Sequence, residues 1–129
     1  MKKTPKLETA IWIMFITVIV LYTIGARMIF TGVQRYANEA QAIYGGDHVG
    51  ALIALVEDEN ASFEKRNSAI WALGQIGSER ALPALHKQDT DELQEPPYDS
   101  TATIIQYGVE KSIRQINRFS VTRWMYRLL

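Results

Sequence analysis

The sequence predicts an all-α fold in which a single N-terminal transmembrane helix is followed by a short α-solenoid of about two and a half helical repeats. Three observations lead to this prediction. An apolar run near the N-terminus is long enough to cross a bilayer. Apolar residues recur at helical spacing through most of the remaining chain. A pattern of helix, glycine turn and second helix occurs twice, which indicates stacked repeats.

The apolar run begins at Ala10 and reaches Phe30, and Arg27 is the only charged residue within it. A helix needs about 20 residues to span the hydrocarbon core of a bilayer. The rest of the chain is too small to cover a helix that is apolar on every side. We therefore predict a transmembrane helix over residues 10–30, preceded by a basic tail over residues 1–9.

A cleaved signal peptide is the alternative interpretation, because Lys2, Lys3 and Lys6 precede the run. Cleavage after Ala26 would place Ile24 where the signal needs a small residue, which favours an uncleaved anchor. Basic residues are slightly more numerous before the run than after it. This bias predicts a cytoplasmic N-terminus and an extracytoplasmic repeat domain. The membrane we expect is a bacterial inner membrane.

Amphipathic and long basic side chains near the two ends of the apolar run suit the membrane–water interface. Four residues are candidates for that position: Trp12, Arg27, Phe30 and Tyr36.

Charge is unevenly distributed although the net charge is zero. Residues 1–46 carry +3, residues 47–110 carry −8 and residues 111–129 carry +5. An acidic middle argues against a nucleic-acid-binding core, so nucleic acid is not an expected partner. The chain has no cysteine, which excludes disulfides, thiol nucleophiles and thiolate metal sites.

The first predicted helix pair follows the membrane segment. Residues 33–44 show helical spacing, and six of them share one apolar face: Val33, Tyr36, Ala37, Ala40, Ile43 and Tyr44. A glycine at Gly45 or Gly46 ends this helix, and Asp47 can cap the next one. The next helix has an apolar stripe formed by Val49, Leu52, Ile53 and Val56.

The same cycle recurs after about 31–33 residues. The stretch 61–76 forms a helix whose predicted inward residues are Phe63, Ala69, Ala72, Leu73 and Ile76. A turn with the sequence GSE follows, and a short second helix tolerates Pro83 only in its first turn.

An acidic, proline-containing linker over residues 89–100 comes next. Asp99 or Ser100 can then cap a last helix with a stripe of Ile105, Val109, Ile113 and Ile116. This helix resembles the first half of a third repeat, so we predict a repeat domain over residues 31–118.

The segment from Arg66 to Leu85, with the pattern R..A..ALGQIG...ALPAL, resembles the HEAT-like repeat of the phycobilisome-lyase type. The resemblance implies a stack of antiparallel helix pairs, and thus a solenoid of HEAT-like repeats. It says little about activity, because one fold supports many functions. The paired His-Glu motifs of HEAT-repeat di-iron hydroxylases are missing, since Val49 follows His48 and Lys87 follows His86.

Trp71 is the residue that repeat architecture does not explain. When Ala69, Ala72 and Leu73 face the core, Trp71 points away from it, and exposed tryptophan is enriched in binding hot spots. The alternative is that Trp71 packs on a neighbouring helix or on the C-terminal tail. The candidates for protein interaction are Trp71, Arg66 and Ile70.

The tail over residues 119–129 mixes arginine with aromatic and aliphatic residues and contains no acid. Four of its residues are candidates for the membrane interface: Arg123, Trp124, Tyr126 and Arg127. Docking into a partner protein and closing the end of the solenoid are the alternatives.

The sequence contains no nucleophile–base pair, glycine-rich phosphate loop or cluster of metal ligands. We therefore expect a non-catalytic, membrane-anchored adaptor without cofactors, metal or catalytic residues. Its expected partners are the bilayer and other subunits of a membrane complex, respiratory or photosynthetic, in which it serves as an accessory or assembly subunit. The alternatives are a lyase-like protein that handles a tetrapyrrole or another cofactor, and a free-standing receptor for a soluble protein.

Overall fold

The computed structural model describes residues 5–90, 100–118 and 123–126, and all regular structure in these ranges is helical. The all-α prediction is confirmed. In chain order the elements are α1 (Pro5–Tyr44), α2 (His48–Glu57), α3 (Phe63–Ile76), a 3₁₀ turn (Glu79–Ala81), α4 (Leu82–Gln88), α5 (Ser100–Asn117) and a second 3₁₀ turn (Arg123–Tyr126).

Helix α1 is one continuous helix of 40 residues, whereas the sequence predicts a membrane segment followed by a separate helix from residue 33. The chain forms two compact units, 1–31 and 32–129, and the division falls inside α1. The apolar part of α1 is long enough to cross a membrane, and none of its most apolar window is buried. These properties are compatible with a membrane span or with a signal sequence.

The helix ends in the second unit follow from a few residues. Gly45, Gly46 and Gly77 have φ values of 70°, 74° and 68°, a left-handed conformation that glycine adopts without a steric penalty. Pro83 lies in the first turn of α4, as predicted. Asp47 occupies the N-cap position of α2, but its side chain makes no capping hydrogen bond because it pairs with an arginine instead.

The core of the second unit consists of small and aliphatic side chains from every helix. Its largest fully buried members are Val33, Leu52, Val56, Ile70, Leu73, Leu85 and Val109. The predicted stripes of α2, α3 and α5 supply half of the buried apolar residues. Ile43 is an exception, because the structure leaves 60% of it exposed although the sequence places it on the apolar face of its helix.

The helices of successive pairs lie side by side. Two ion pairs join α2 to the second pair, Asp47–Arg80 at 2.7 Å near its first residue and Glu57–Lys87 at 3.6 Å at its last. The start of α2 pairs with the 3₁₀ turn before α4, and the end of α2 pairs with the last turn of α4. The two helices α2 and α4 therefore run in the same direction.

Helices α3 and α5 form the corresponding layer. A methyl group built on Gly74 would lie 2.6 Å from Ser112 Oγ, and one built on Gly108 would lie 3.1 Å from Asn67 Oδ1. The two helices therefore run in the same direction and approach closely where Gly74 has no side chain. This regular stacking is the geometry expected of a helical solenoid.

Candidate functional site

The second unit contains a groove between the last turns of α1, the last turn of α2 and the first turns of α3. It has a volume of about 530 Å³. We refer to it as the α1–α3 groove, and its lining consists of Tyr36, Glu39, Ala40, Ala42, Ile43, Leu55, Glu64, Lys65 and Ser68.

Small side chains keep this groove open. Ala40 is fully buried and Leu55 is nearly so, and together they provide an apolar base. Ile43 stands beside them and exposes most of its surface to solvent. Because exposing an aliphatic side chain of this size costs free energy, the groove offers an apolar contact that a ligand surface can cover.

The rim of the groove is charged, with Glu39 and Glu64 as acids and Lys65 as the base. Glu39 forms a long, exposed pair with Arg35 at 3.9 Å, which leaves its charge open to solvent. The adjoining residues 57–64 contain four acids and no base. An apolar centre with a polar, charged rim is the usual anatomy of a protein-binding surface.

The turn beside the groove is held by Tyr44 and Asp58. The Tyr44 hydroxyl donates a hydrogen bond to Asp58 Oδ2 over 2.5 Å, and the Asn60 main-chain N–H donates to the other carboxylate oxygen. The hydrogen bond from Tyr44 is the main cause that lowers the pKa of Asp58, and the same bond raises the pKa of Tyr44. The end of α1 is thereby fixed against the end of α2.

Trp71 is half-buried and packs on α1. Its ring meets the ring of Tyr36 edge to face, with 6.1 Å between their centroids. A methyl group built on Gly32 would lie 3.5 Å from the Trp71 ring, so this glycine lets the indole lie close to the α1 backbone. Trp71 does point away from the α3–α5 contact, but α1 covers it, which is the alternative that the sequence left open.

The other two predicted interaction residues also have structural contacts. Ile70 is completely buried, so its side chain is not available to a partner and the expectation for this residue is wrong. Arg66 donates hydrogen bonds to the Val56 carbonyl oxygen at 3.2 Å and to Gln88 Oε1 at 2.8 Å. It ties the end of α2 to the end of α4.

The predicted interface residues of α1 differ in their surroundings. Trp12 and Arg27 are exposed on the apolar part of the helix, and Phe30 is half-buried. Tyr36 packs on Trp71 within the second unit, so its contact is an intramolecular one.

Two of the four candidates in the tail are held by the repeat domain. The Arg123 guanidinium donates hydrogen bonds to the carbonyl oxygens of Gly77 and Ile116, both at 2.9 Å, where α3 and α5 end. Tyr126 is 4% exposed, and burial raises the pKa of its hydroxyl. Arg123 and Tyr126 therefore close the end of the stack, which is one of the alternatives that the sequence left open. Trp124 is 69% exposed, and Arg127 lies outside the described residues.

Within the described ranges, no three histidine or acidic side chains converge to form a candidate metal site. The ring of His48 shares a hydrogen bond with Asn38 Oδ1 at 2.9 Å. His86 is exposed on α4.

The groove was missed by sequence reasoning because its residues come from three helices. The only sequence signal was the run of four acids over residues 57–64 beside an apolar stripe that included Ile43.

Comparison with known proteins identifies one repeat. Residues 65–88, which form most of α3 and all of α4, match the family model of the PBS lyase HEAT-like repeat. No match to this chain was found among curated proteins or among solved structures. The match confirms the expected HEAT-like repeat at the place where the sequence predicts it.

Proposed function

We propose that this chain, a HEAT-like helical repeat protein with a long apolar N-terminal helix, is a non-catalytic, membrane-anchored protein–protein interaction module. In this proposal the chain is an accessory or assembly subunit that stabilises a larger membrane complex. The observation that carries the proposal is the α1–α3 groove, in which Ile43 is largely exposed and the lining also includes the charged residues Glu39, Glu64 and Lys65.

The lining of the groove favours a protein ligand over a small molecule. Sites for small molecules usually combine an enclosed apolar cavity with a few convergent polar groups. In the α1–α3 groove the centre is alanine, leucine and isoleucine, and the charged groups lie at the rim. This arrangement suits an apolar side chain on the surface of another protein.

The apolar part of α1 supports the membrane anchor. Its exposed large side chains include Trp12, Phe15 and Leu21, which would be unfavourable in water and favourable in lipid. In the proposed orientation the N-terminus is cytoplasmic and the repeat domain extracytoplasmic, in a bacterial inner membrane. Accessibility of tags placed at either terminus to a membrane-impermeant reagent tests this orientation, and labelling of an N-terminal tag in intact cells would contradict it.

The test of the groove is substitution of its exposed aliphatic residue. We expect Ile43→Asp to abolish co-purification of the partner from detergent-solubilised membranes, because a carboxylate would have to be desolvated in the contact. Ile104→Asp is the matched control, since Ile104 is also exposed but lies on α5 outside the groove. Circular dichroism must show the same helicity in both variants. Equal loss of the partner in both, or retention in both, would contradict the proposal.

A cofactor-handling role is the second candidate, and the observation in its favour is the match to the PBS lyase HEAT-like repeat. An absorption spectrum of the protein purified from its native membrane tests it. A stoichiometric chromophore would favour this role over the interaction module.

A further inference from the structure

We propose that the α1–α3 groove receives the exposed Trp124 of a second copy of this chain, so that copies associate head to tail. The inference rests on the proposed function, in which the groove is a protein-binding site, and it names the occupant of that site.

The first argument is the fit of the two apolar surfaces. Trp124 is one of the most exposed large side chains of the second unit, and a tryptophan buries some 150–250 Å² when it is covered. The groove has a volume of about 530 Å³ and presents Ile43, Ala42 and Leu55. It is therefore large enough for an indole ring with part of the adjoining chain. Exposed tryptophan that enters an apolar pocket is a common centre of protein interfaces.

The second argument is charge complementarity. No acid occurs in residues 111–129, which carry five basic residues, and Trp124 lies within this segment. The groove has Glu39, Glu64 and Lys65 on its rim, and residues 57–64 add three further acids beside it, of which Glu57 pairs with Lys87. Glu59 and Glu64 are exposed, and neither takes part in an ion pair within the described residues. Opposite charges on the two surfaces steer association and fix its direction.

The third argument excludes the Trp124 of the same copy. Arg123 holds its neighbour Trp124 at the C-terminal end of α3, through its hydrogen bond to Gly77. The groove lies at the other end of α3, beside Glu64 and Ser68. The rise of 1.5 Å per residue along a helix separates Gly77 from Glu64 by about 20 Å. Trp124 cannot reach this groove while Arg123 keeps its bonds, so a second copy must supply the indole.

An interface of this kind is heterologous, because each copy contributes a groove to one neighbour and a tryptophan to another. Such interfaces build rings when the rotation closes and open chains when it does not. Stacked repeats are suited to this arrangement because the two ends of the stack present different surfaces. We expect association to increase with protein concentration in the membrane or micelle.

The test uses the full-length protein in detergent micelles and measures its mass by analytical ultracentrifugation. Wild type is expected to form dimers and larger species as the ratio of protein to detergent rises. Ile43→Asp removes the acceptor and Trp124→Ala removes the donor, so each variant alone is expected to stay monomeric at the protein-to-detergent ratios at which wild type begins to associate. A mixture of the two retains one intact donor and one intact acceptor, and is expected to form dimers but no larger species. This complementation is the signature of a head-to-tail contact.

The matched controls are Tyr107→Ala and Ile104→Asp, which change exposed residues of α5 by the same kinds of substitution. Both are expected to associate like wild type. We expect Trp124→Ala to weaken association about tenfold or more, the effect of removing a hot-spot residue.

Four outcomes would overturn the inference. Association of Trp124→Ala like wild type would do so, and so would a mixture that stays monomeric although wild type associates. If Trp124→Ala lost binding to anionic lipid vesicles but still self-associated like wild type, Trp124 would be assigned to the bilayer. A monomeric wild type that still co-purifies a different protein through Ile43 would overturn the inference and leave the proposed function standing.

Discussion

The Ser112 hydroxyl of α5 donates a hydrogen bond to the main-chain carbonyl oxygen of Ile70 in α3, with 2.9 Å between the two oxygens. Ser112 is buried, so its hydroxyl needs a partner within the protein. This bond joins two helices that come from successive repeats and approach closely beside Gly74. The stability of the stack therefore depends on this contact, in which Gly74 must be small and Ser112 must be polar.

Replacement of Gly74 tests this contact. The new methyl group in Gly74→Ala would lie 2.6 Å from Ser112 Oγ and 2.9 Å from Ser112 Cβ, so α5 must move. Overpacking of this kind costs about 1–3 kcal/mol. Replacing glycine by alanine within a helix gains about 1 kcal/mol, so we expect a net loss of stability when the overpacking cost lies in the upper part of its range. Chemical denaturation measures the change in the free energy of unfolding. Gly74→Ala combined with Ser112→Ala should lose less stability than the two single changes added together, and strict additivity would show that the two residues do not interact.

Removal of the Arg123 guanidinium should destabilise the end of the stack. Its bonds to Gly77 and Ile116 satisfy carbonyl oxygens at the ends of α3 and α5. We expect Arg123→Ala to lower the free energy of unfolding by about 1.5–3 kcal/mol, the range for hydrogen bonds to a charged group. Tyr107→Ala is the control and should leave stability unchanged because Tyr107 is exposed on α5. Equal stability of wild type and Arg123→Ala in detergent would instead favour a lipid contact for this arginine.

The contact between Trp71 and α1 predicts different effects for two substitutions. Trp71→Ala should lower thermal stability, because it removes the ring that packs on Tyr36 and beside Gly32. Gly32→Ala should be tolerated, since its methyl group would make ordinary contact with Trp71 at 3.5 Å. Thermal unfolding followed by circular dichroism distinguishes them. An unchanged melting temperature of Trp71→Ala, together with loss of a partner, would restore Trp71 as an interaction residue.

The Asp47–Arg80 pair should give the repeat domain a measurable dependence on pH. Two hydrogen bonds from the Arg80 guanidinium, at 2.7 and 3.1 Å, are the main cause that lowers the pKa of Asp47. A folded-state pKa below the unfolded one stabilises the protein above the unfolded value, and this stabilisation is lost as the pH falls through the folded value. Wild type should therefore exceed Arg80→Gln in stability at pH 7, and the difference should shrink below a pH of about 4.

A carboxyl titration followed by NMR provides the site-specific check. The pKa of Asp47 should rise in Arg80→Gln towards its ordinary value. Lys87→Gln is the control, because its longer pair with Glu57 leaves Asp47 untouched. A titration of Asp47 that is the same in wild type and Arg80→Gln would show that the pair does not form in solution.

The helical periodicity of the sequence was sufficient to predict the helices and most of the core. Ala69, Ala72 and Leu73 lie inside, as spacing at i, i+3 and i+4 requires. Gly77 adopts the left-handed conformation that ends α3. A glycine directly after a helical pattern predicts this ending, because glycine takes that conformation without a steric penalty. Such features depend on neighbours along the chain and are therefore accessible from one sequence.

The side chains that were predicted incorrectly depend on contacts between distant segments. Ile70 lies beside Ser112, a residue 42 positions later, and no local pattern indicates that α5 covers it. Asp47 prefers the guanidinium of Arg80 to the cap of its own helix. Ile43 follows the apolar pattern of its helix, but no later helix packs over it within the described residues. The groove is a product of this missing neighbour, which a periodicity argument cannot predict.

The three tryptophans of this chain have three different environments. Trp12 is exposed on the apolar helix, Trp71 is half-buried against Tyr36, and Trp124 is exposed beside the Arg123 contact. Variants that retain one indole each would thus carry an intrinsic fluorophore on the apolar part of α1, inside the folded domain or beside the end of α3. Emission maximum and quenching would then report on bilayer insertion, unfolding and association separately, without an attached dye.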